Sequence, residues 1–297
     1  MPAAYHLIFN PAAGRGRAIR ETAAVSAEVR RQLGDVAVYH TDRKGHAAEI
    51  AASLRGQGVT VIAAGGDGTV HEIVNGLVGG NCTLGIIPIG SGNDFVKMLN
   101  LKGGDWRSAV AAIRRGHTLQ ADVGKVGAVY FPNGVGIGFD AEALIESHKT
   151  QHLKGFALYF ASVLKALRRY RNRTVTLTID GRRQTREIFL IAVGNGECAG
   201  GGFYLTPGAR IDDGRLDVCI ARALKLREIL LLLPRVVKGK HIGMPQVEYL
   251  QAEHLRIESA QGIPAHADGE LLGADLRELE IELLPAALKV IHNLNPD

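Results

Sequence analysis

The chain has 297 residues, of which 46% are hydrophobic and 22% are charged. This balance is typical of a soluble globular protein and excludes a largely disordered chain. The chain has 35 Lys and Arg residues against 30 Asp and Glu residues, a modest excess that suits an anionic ligand or surface. Aromatic residues are few and no basic run is interleaved with them, which argues against nucleic acid as a partner.

Cysteine usage and hydropathy define the expected compartment. Cys82, Cys198 and Cys219 are widely spaced and form no C-x-x-C pair, which argues against a disulfide framework or a zinc site and predicts a reducing cytoplasm. No apolar run approaches the roughly 20 residues of a transmembrane helix, and the N-terminus does not resemble a signal peptide. We therefore expect a cytoplasmic protein that does not span a membrane.

Residues 1–122 alternate short apolar strands with helical segments. The predicted strands are 5–9, 36–41, 59–64 and 84–88, and the predicted helices are 18–33, 45–55, 70–78 and 105–115. This alternation predicts a doubly wound, parallel α/β domain. Ligands of such sheets bind at the carboxyl ends of the strands.

The pattern changes near Asp122, and residues 123–297 are predicted to form a second, mainly antiparallel domain. Its predicted strands are 125–138, 174–179, 187–194, 215–221, 254–258, 263–267 and 278–284, with helical insertions near 141–170 and 225–238. Asp180-Gly181 predicts a two-residue hairpin. Whether the last segment, about 285–297, returns to the first domain is left open.

A glycine loop lies where the third strand meets the next helix. Gly65, Gly66 and Gly68 permit positive φ and a close approach of the backbone to a ligand, and Thr69 is expected to cap the helix. Amides and a helix N-terminus aimed at one spot favour phosphate. The spacing matches neither G-x-x-x-x-G-K-[ST] nor G-x-G-x-x-G. Taken alone, the loop is equally well explained as a phosphate site and as a tight turn.

Further motifs lie along the chain, one before this loop and the others after it. They are Asn-Pro-x-x-Gly at 10–14, Pro-x-Gly-Ser-x-Asn-Asp-Phe at 88–95, Gly-Phe-Asp-Ala at 138–141, Gly-Gly-Gly at 200–202, Asp-Asp-Gly-x-Leu-Asp-Val at 212–218 and Asp-Gly-Glu at 268–270. Singly, each is better explained as a turn, a bulge or a hairpin. Together they resemble the diacylglycerol kinase catalytic-domain family, in particular the soluble bacterial lipid kinases related to sphingosine and ceramide kinases.

The resemblance covers nearly the whole chain. It implies an NAD-kinase-like α/β domain, an antiparallel β-sandwich domain and an active site in the cleft between them. It also implies transfer of the γ-phosphate of ATP to a lipid hydroxyl, with diacylglycerol as the first expected acceptor and a role in phospholipid metabolism. The implied nucleotide contacts are Asn10, Thr41, Gly65, Gly66, Asp67, Gly68, Thr69, Glu72, Ser91, Asn93 and Asp94.

The family's metal and base positions fall on carboxylates of this sequence. Catalytic Mg²⁺ is implied at Asp67, Asp94 and Asp122, since Mg²⁺ prefers oxygen ligands; turn or helix capping is the alternative for Asp94 and Asp122. A structural Mg²⁺ is implied at Asp213 with the backbone carbonyls of Arg210 and Arg215. Asp268 matches the family's general base, Glu270 shares the expected site, and an Asp-Gly hairpin corner is the alternative.

Contact with an anionic membrane surface is expected at residues 155–164, an apolar segment followed by cations. These cations are Lys165, Arg168, Arg169, Arg171 and Arg173. Such a helix could lie on a bilayer, although a buried helix with a solvated basic end explains most of its apolar residues better. Arg15 and Arg17 are expected to add to a membrane-facing or phosphate-facing patch. Whether the protein forms a homodimer is left open.

Three other functions compete with a diacylglycerol kinase. The acceptor could be another lipid, namely phosphatidylglycerol, a sphingoid base or ceramide. An NAD kinase would share the Gly-Gly-Asp-Gly-Thr motif, but the later motifs disfavour it. A catalytically inactive nucleotide- or lipid-binding regulator is disfavoured because Asp67, Asp94, Asp268 and Glu270 are all retained.

Overall fold

The computed structural model describes residues 4–149, 155–168 and 170–294, without the side chains at 15, 17, 148 and 155–159. The chain divides into two compact units, one formed by Met1–Asp122 with Pro285–Asp297 and one by Val123–Leu284. We refer to them as unit 1 and unit 2. Strands β5 (Thr118–Val126) and β13 (Glu270–Ile291) contribute residues to both units.

Unit 1 is a parallel sheet with helices between its strands. The strands are β1 (Tyr5–Phe9), β2 (Val36–His40), β3 (Thr60–Gly65) and β4 (Thr83–Pro88), and the helices are α1 (Ala13–Leu33), α2 (His46–Leu54), α3 (Asp67–Leu77), α4 (Phe95–Met98) and α5 (Trp106–Arg115). The strand order is β4-β3-β1-β2, and the end of β13 pairs in parallel with β4 at Lys289 and Val290. The predicted parallel α/β fold is confirmed.

Two helices of unit 1 begin earlier than predicted. Helix α1 begins at Ala13 instead of residue 18, and its first turns are irregular because Gly14 and Gly16 have φ values of 60° and 83°. Helix α3 begins at Asp67 because the chain turns at one extended residue, Gly66. The prediction that Thr69 caps this helix is therefore wrong, since Thr69 lies within its first turn.

Unit 2 is antiparallel. Its further strands are β6 (Val129–Phe131), β7 (Gly134–Gly138), β8 (Arg173–Ile179), β9 (Arg182–Gly194), β10 (Leu216–Arg222), β11 (Val247–Ala252) and β12 (His254–Ala267). Its helices are α6 (Phe139–His148), α7 (Gly155–Ala166) and α8 (Leu226–Val236). The long strands β9 and β12 each pair with β7 at one end and with β8 at the other. The predicted antiparallel second unit is confirmed.

Two hairpins of unit 2 turn at an Asp-Gly pair. Asp180 and Gly181 join β8 to β9 with φ values of 44° and 82°, as the sequence predicts. Asp268 and Gly269 join β12 to β13 with φ values of 50° and 85°. Positive φ at both central residues defines the type I′ turn, which matches the right-handed twist of paired strands.

Candidate active site

Two glycine loops of unit 1 are packed backbone to backbone. The amides of Ile89 and Gly90 donate to the carbonyl of Gly65, at 2.8 and 3.0 Å. A Cβ atom added at Gly90 would lie 2.3 Å from the Cα atom of Gly66. Only glycine therefore fits at position 90, and the loops after β3 and β4 are fixed against each other.

Polar side chains from β1 and α3 meet beside the first loop. The Asn10 amide group donates to the Thr69 hydroxyl at 2.9 Å. A Cβ atom at Gly65 would lie 2.3 Å from that hydroxyl oxygen, so glycine at position 65 makes room for the Thr69 side chain. Thr41, directly after β2, is buried, and its amide donates to the carbonyl of Phe9 at 2.9 Å. Of these predicted nucleotide contacts, Asn10, Thr41 and Gly65 thus lie at the carboxyl ends of parallel strands, and Thr69 lies in α3.

Asp67 and Asp94 form a carboxylate pair next to these loops. Asp67 Oδ1 accepts a hydrogen bond from the Asp94 amide at 2.7 Å. A Cβ atom at Gly92 would lie 2.6 Å from Asp67 Oδ2 and 3.7 Å from Asp94 Oδ2, so the two carboxylates border the same space. Lys97 Nζ donates to Asp94 Oδ1 at 2.7 Å.

The electrostatics of this pair favour a bound cation. Burial and the Asp94 charge raise the pKa of Asp67 to about 6, although hydrogen bonds from three backbone amides lower it. A divalent ion would relieve this repulsion. Among residues 4–149, 155–168 and 170–294, no group of three or more His, Cys, Asp or Glu side chains is arranged to hold a metal. A pair of carboxylates fits Mg²⁺, which often takes one or two carboxylates and completes its coordination with water and phosphate oxygens.

Two of the predicted site residues bind the backbone of unit 1. Glu72 accepts from the amides of Gly45 and Ala47, at 2.8 and 3.2 Å, and so caps α2. Asp122 is buried and accepts from the amide of Ala286 at 2.7 Å, where the φ of Ala286 is 52°. Both contacts stabilise the fold of unit 1.

Two further predicted nucleotide contacts, Asn93 and Ser91, lie in the second glycine loop. Asn93 has a φ of 52°, and its side chain donates to the carbonyl of Gly90 at 2.8 Å, which shapes the loop. Ser91, at the exposed tip, is open to solvent.

Asp213, predicted to hold a structural metal, lies in an exposed loop of unit 2. Its Oδ1 accepts from the Arg215 amide at 3.1 Å, and its Oδ2 accepts from the Gln251 side chain at 3.4 Å. The side chains of Arg210 and Arg215 form ion pairs with Asp212 and Glu253, respectively. The structural Mg²⁺ stays a prediction.

The Asp-Gly-Glu turn is supported by a pair of buried side chains. His266 Nε2 lies 3.0 Å from Asp140 Oδ2, with the two side chains only 7% and 6% exposed. The Gly269 amide donates to His266 Nδ1 at 3.2 Å, which leaves Nε2 to carry the hydrogen toward Asp140. A Cβ atom at Gly136 would lie 2.0 Å from Asp140 Oδ2, so only glycine admits this pair.

Sequence reasoning missed His266 and Asp140 as site residues. The signals were present, because Asp140 belongs to the Gly-Phe-Asp-Ala motif and His266 lies two residues before Asp268. Their contact, however, joins positions separated by 126 residues.

The Asp268 carboxylate is held by the neighbouring strand, and so is the carboxylate of the other Asp-Gly turn. Asp268 Oδ1 accepts from the amides of Asn133 and Gly134, at 3.2 and 2.8 Å. Asp180 Oδ1 accepts in the same way from the amides of Glu253 and His254, at 3.2 and 3.0 Å. These amide contacts are thus a property of the turn. The histidine support and the following Glu270 distinguish the Asp268 turn.

An apolar cavity of about 70 Å³ lies within unit 2. Its lining includes Phe139, Phe189, Phe203, Leu205, Leu224 and Leu232. A second cavity of about 220 Å³ shares Phe189, Leu224 and Ile229 with it and adds the polar residues Arg171 and Asn172. Apolar lining with a few polar groups suits an amphiphilic ligand.

The membrane-binding segment expected from the sequence is described in part. Residues 155–164 lie in α7, where Val163 is buried and Leu164 is 42% exposed. Lys165, Arg168 and Arg171 are exposed. Arg169 and the side chains of residues 155–159, Arg15 and Arg17 lie outside the described residues. In the described parts of the chain, no helix has the length and hydropathy needed to cross a bilayer.

Comparisons with known proteins place this geometry in a family. Residues 4–126 match the diacylglycerol kinase catalytic domain, and residues 133–292 match the YegS C-terminal NAD kinase beta sandwich-like domain. A diacylglycerol kinase of Staphylococcus carnosus is 31% identical over 90% of this chain and 88% of its own length. The chain belongs to the diacylglycerol kinase catalytic-domain family. The membership predicted from the motifs is confirmed.

Further relatives and solved structures are similar to this chain over most of their length. A diacylglycerol kinase of Bacillus subtilis is 29% identical over 90% of this chain and 89% of its own. A solved chain from Bacillus anthracis has 28% identity and a TM-score of 0.80, covering 98% of this chain and 97% of its own. An NAD kinase from Archaeoglobus fulgidus, solved with ATP, has a TM-score of 0.56 at 12% identity and covers 98% of this chain and 94% of its own. It shares the fold.

Proposed function

We propose that the protein is an ATP- and Mg²⁺-dependent lipid kinase that phosphorylates a lipid hydroxyl, with diacylglycerol as the first acceptor. The observation that carries this proposal is the carboxylate pair of Asp67 and Asp94 beside the two interlocked glycine loops. Phosphoryl transfer requires positioning and charge neutralisation more than covalent help. The glycine loops would supply the positioning, and Mg²⁺ held by the two carboxylates would supply the neutralisation.

The nucleotide phosphates are proposed to lie at the N-terminus of α3. Amides in the first turn of a helix have no acceptor within the helix and point toward an anion. Gly66 and Gly68 allow a close approach, and the Asn10–Thr69 hydrogen bond fixes the hydroxyl beside them. Asp67 and Asp94 would hold Mg²⁺, which when bound neutralises charge on the phosphate oxygens.

The acceptor hydroxyl is proposed to bind at the Asp-Gly-Glu turn. Its oxygen attacks the γ-phosphorus, the new O–P bond forms as the bond to the β,γ-bridging oxygen breaks, and ADP leaves. Asp268 takes the hydroxyl proton, with Glu270 beside it in sequence. The Asp140–His266 pair positions the turn through the Gly269 amide.

The two adjoining cavities of unit 2 support a lipid acceptor. Acyl chains gain free energy when apolar surface leaves water, and the smaller cavity is lined almost wholly by apolar side chains. A dinucleotide acceptor would need polar partners instead. We therefore favour a lipid over NAD, and we propose peripheral association with an anionic membrane.

Incubation with labelled ATP and Mg²⁺ tests this function directly. The acceptors would be diacylglycerol, phosphatidylglycerol, sphingosine, ceramide and NAD, each supplied separately. We expect label in phosphatidic acid. Label only in NADP would contradict the lipid proposal. ATP binding without transfer to any acceptor would favour the inactive regulator.

Gly90→Ala should weaken ATP binding by about tenfold or more, because overpacking costs roughly 1–3 kcal/mol and the added Cβ would meet the Gly66 backbone. Gly56→Ala is the matched control, since a Cβ atom there meets nothing within 4 Å. Calorimetric titration with Mg·ATP measures both variants, and circular dichroism checks their folding. A folded Gly90→Ala protein with native affinity would contradict the proposed phosphate site.

A further inference from the structure

Helix α8 carries leucine on both of its faces. Ile229 and Leu232 are buried on the inner face. Leu226, Leu230 and Leu231 are 59%, 53% and 68% exposed, and we refer to these three as the outer leucine face. A surface helix of a globular protein normally turns polar residues toward solvent, so a cluster of exposed leucines on one helix indicates a partner.

The charges around this face are positive. Lys225 and Arg227 are exposed at the start of α8, and Arg235, Lys238 and Lys240 are exposed at its end or just beyond it. Glu228 is the one acidic residue in the sequence of α8. Its carboxylate is engaged by Arg222 at 3.0 Å and by the Lys225 amide at 2.9 Å. Leucines flanked by cations are complementary to an anionic lipid surface and not to another basic protein surface.

The inner face of α8 connects this surface to the apolar interior. Ile229 and Leu232 line the smaller cavity. Leu226, which belongs to the outer leucine face, also lines the larger cavity together with Ile229. A single helix therefore exposes leucines to solvent and also lines both cavities, which places the surface beside the proposed acyl-chain cavities.

We propose that α8 is the element through which the protein docks on an anionic phospholipid bilayer. The outer leucine face enters the boundary between headgroups and acyl chains, and Lys225, Arg227 and Arg235 contact the lipid phosphates. This inference rests on the proposed lipid-kinase function and names the surface that the function requires. It assigns docking to α8 in unit 2, instead of to residues 155–164 and the cations after them.

The test uses the full chain with Leu230→Glu and Leu231→Glu combined. Vesicles of phosphatidylcholine and phosphatidylglycerol are sedimented with the protein, and we expect the double variant to bind at least tenfold more weakly than the native protein. Leu294→Glu is the matched control, because Leu294 is a 42% exposed leucine of unit 1, outside α8 and outside the segments expected to contact a membrane. We expect it to bind vesicles as the native protein does.

A second readout separates this inference from the proposed function. Transfer of label to a short-chain diacylglycerol, supplied as a monomer in water, should be unchanged in the double variant because no bilayer is involved. If the native protein labels no lipid, the function fails, whereas vesicle binding still reports on α8. Native vesicle binding by the double variant overturns the inference. So does a native dimer that dissociates in the variant while vesicle binding persists, since the face would then join two copies.

Discussion

Asp268→Asn should lower the rate of phosphate transfer to lipid by about 10²–10⁴-fold, with ATP affinity close to the native value. Asparagine keeps a carbonyl oxygen that can accept from the Gly134 amide, so the turn should persist. An amide, however, cannot take the proton of the acceptor hydroxyl. Steady-state kinetics with diacylglycerol and titration with Mg·ATP measure the two quantities.

Asp180→Asn is the matched control for this variant. Asp180 lies in the same type of Asp-Gly turn and accepts hydrogen bonds from two backbone amides of a neighbouring strand, as Asp268 does. A purely structural role would make both substitutions cost similar stability and leave kcat alone. Glu270→Gln separates the two candidate bases, because the residue that accepts the proton should show the larger loss of kcat. An active Asp268→Asn enzyme would remove Asp268 from that role.

The strands of unit 1 could be predicted from the sequence to within about a residue. β1, β3 and β4 are short apolar runs, buried on both faces, and the last two end in glycine or proline. Runs of this kind are typical of parallel sheets covered by helices. The Asp180-Gly181 hairpin was equally predictable, because a type I′ turn requires positive φ at two consecutive residues and this dipeptide tolerates it.

Parts of unit 2 lack such a pattern. Strand β11 was missed because only Ala252 at its end is fully buried, so hydrophobic alternation is weak. Residues 254–258 and 263–267 were predicted as two strands, yet they form the single strand β12 around a bulge. Gly262 has a φ of 72° in that bulge, which bends the strand without ending it.

The side-chain partners in the candidate site were the least predictable feature. The motifs identified Asp67, Asp94 and Asp268, but contacts between distant positions are not encoded in any local pattern. Glu72 caps a helix that begins 26 residues earlier in the chain, a contact that its motif does not predict, and its nucleotide contact stays a prediction. By itself the glycine loop is equally well explained as a turn. The contact between Gly66 and Gly90, which packs the two glycine loops together, is visible only in the folded chain.

Asp67→Asn should abolish most transfer and yet stabilise the protein at neutral pH. The carboxylate is proposed to hold Mg²⁺, and removing such neutralisation costs several kcal/mol in the transition state, so the rate should fall by about 100-fold or more. The stability effect has the opposite sign because the folded protein raises the pKa of Asp67 from 3.8 to about 6. A raised carboxyl pKa means that folding favours the protonated form.

The pH dependence follows from that sign. Between about pH 4 and pH 6 the folded state binds more protons at Asp67 than the unfolded state does, so stability falls as the pH rises through this range. Well above pH 6 the penalty is complete, at about 3 kcal/mol. Asparagine carries no charge and keeps an acceptor for the Asp94 amide, so the gain in the free energy of unfolding should be present at pH 7.5 and vanish near pH 4.

Urea denaturation of native protein and Asp67→Asn at the two pH values measures this difference without Mg²⁺ or ATP. Equal stability at pH 7.5 would show that burial and the Asp94 charge do not penalise the ionised Asp67 carboxylate in the folded state. The expected result has a functional meaning. A carboxylate that destabilises the folded protein is typical of a functional site, where it binds a ligand. If Asp67 holds Mg²⁺, added Mg·ATP should stabilise the native protein more than the variant.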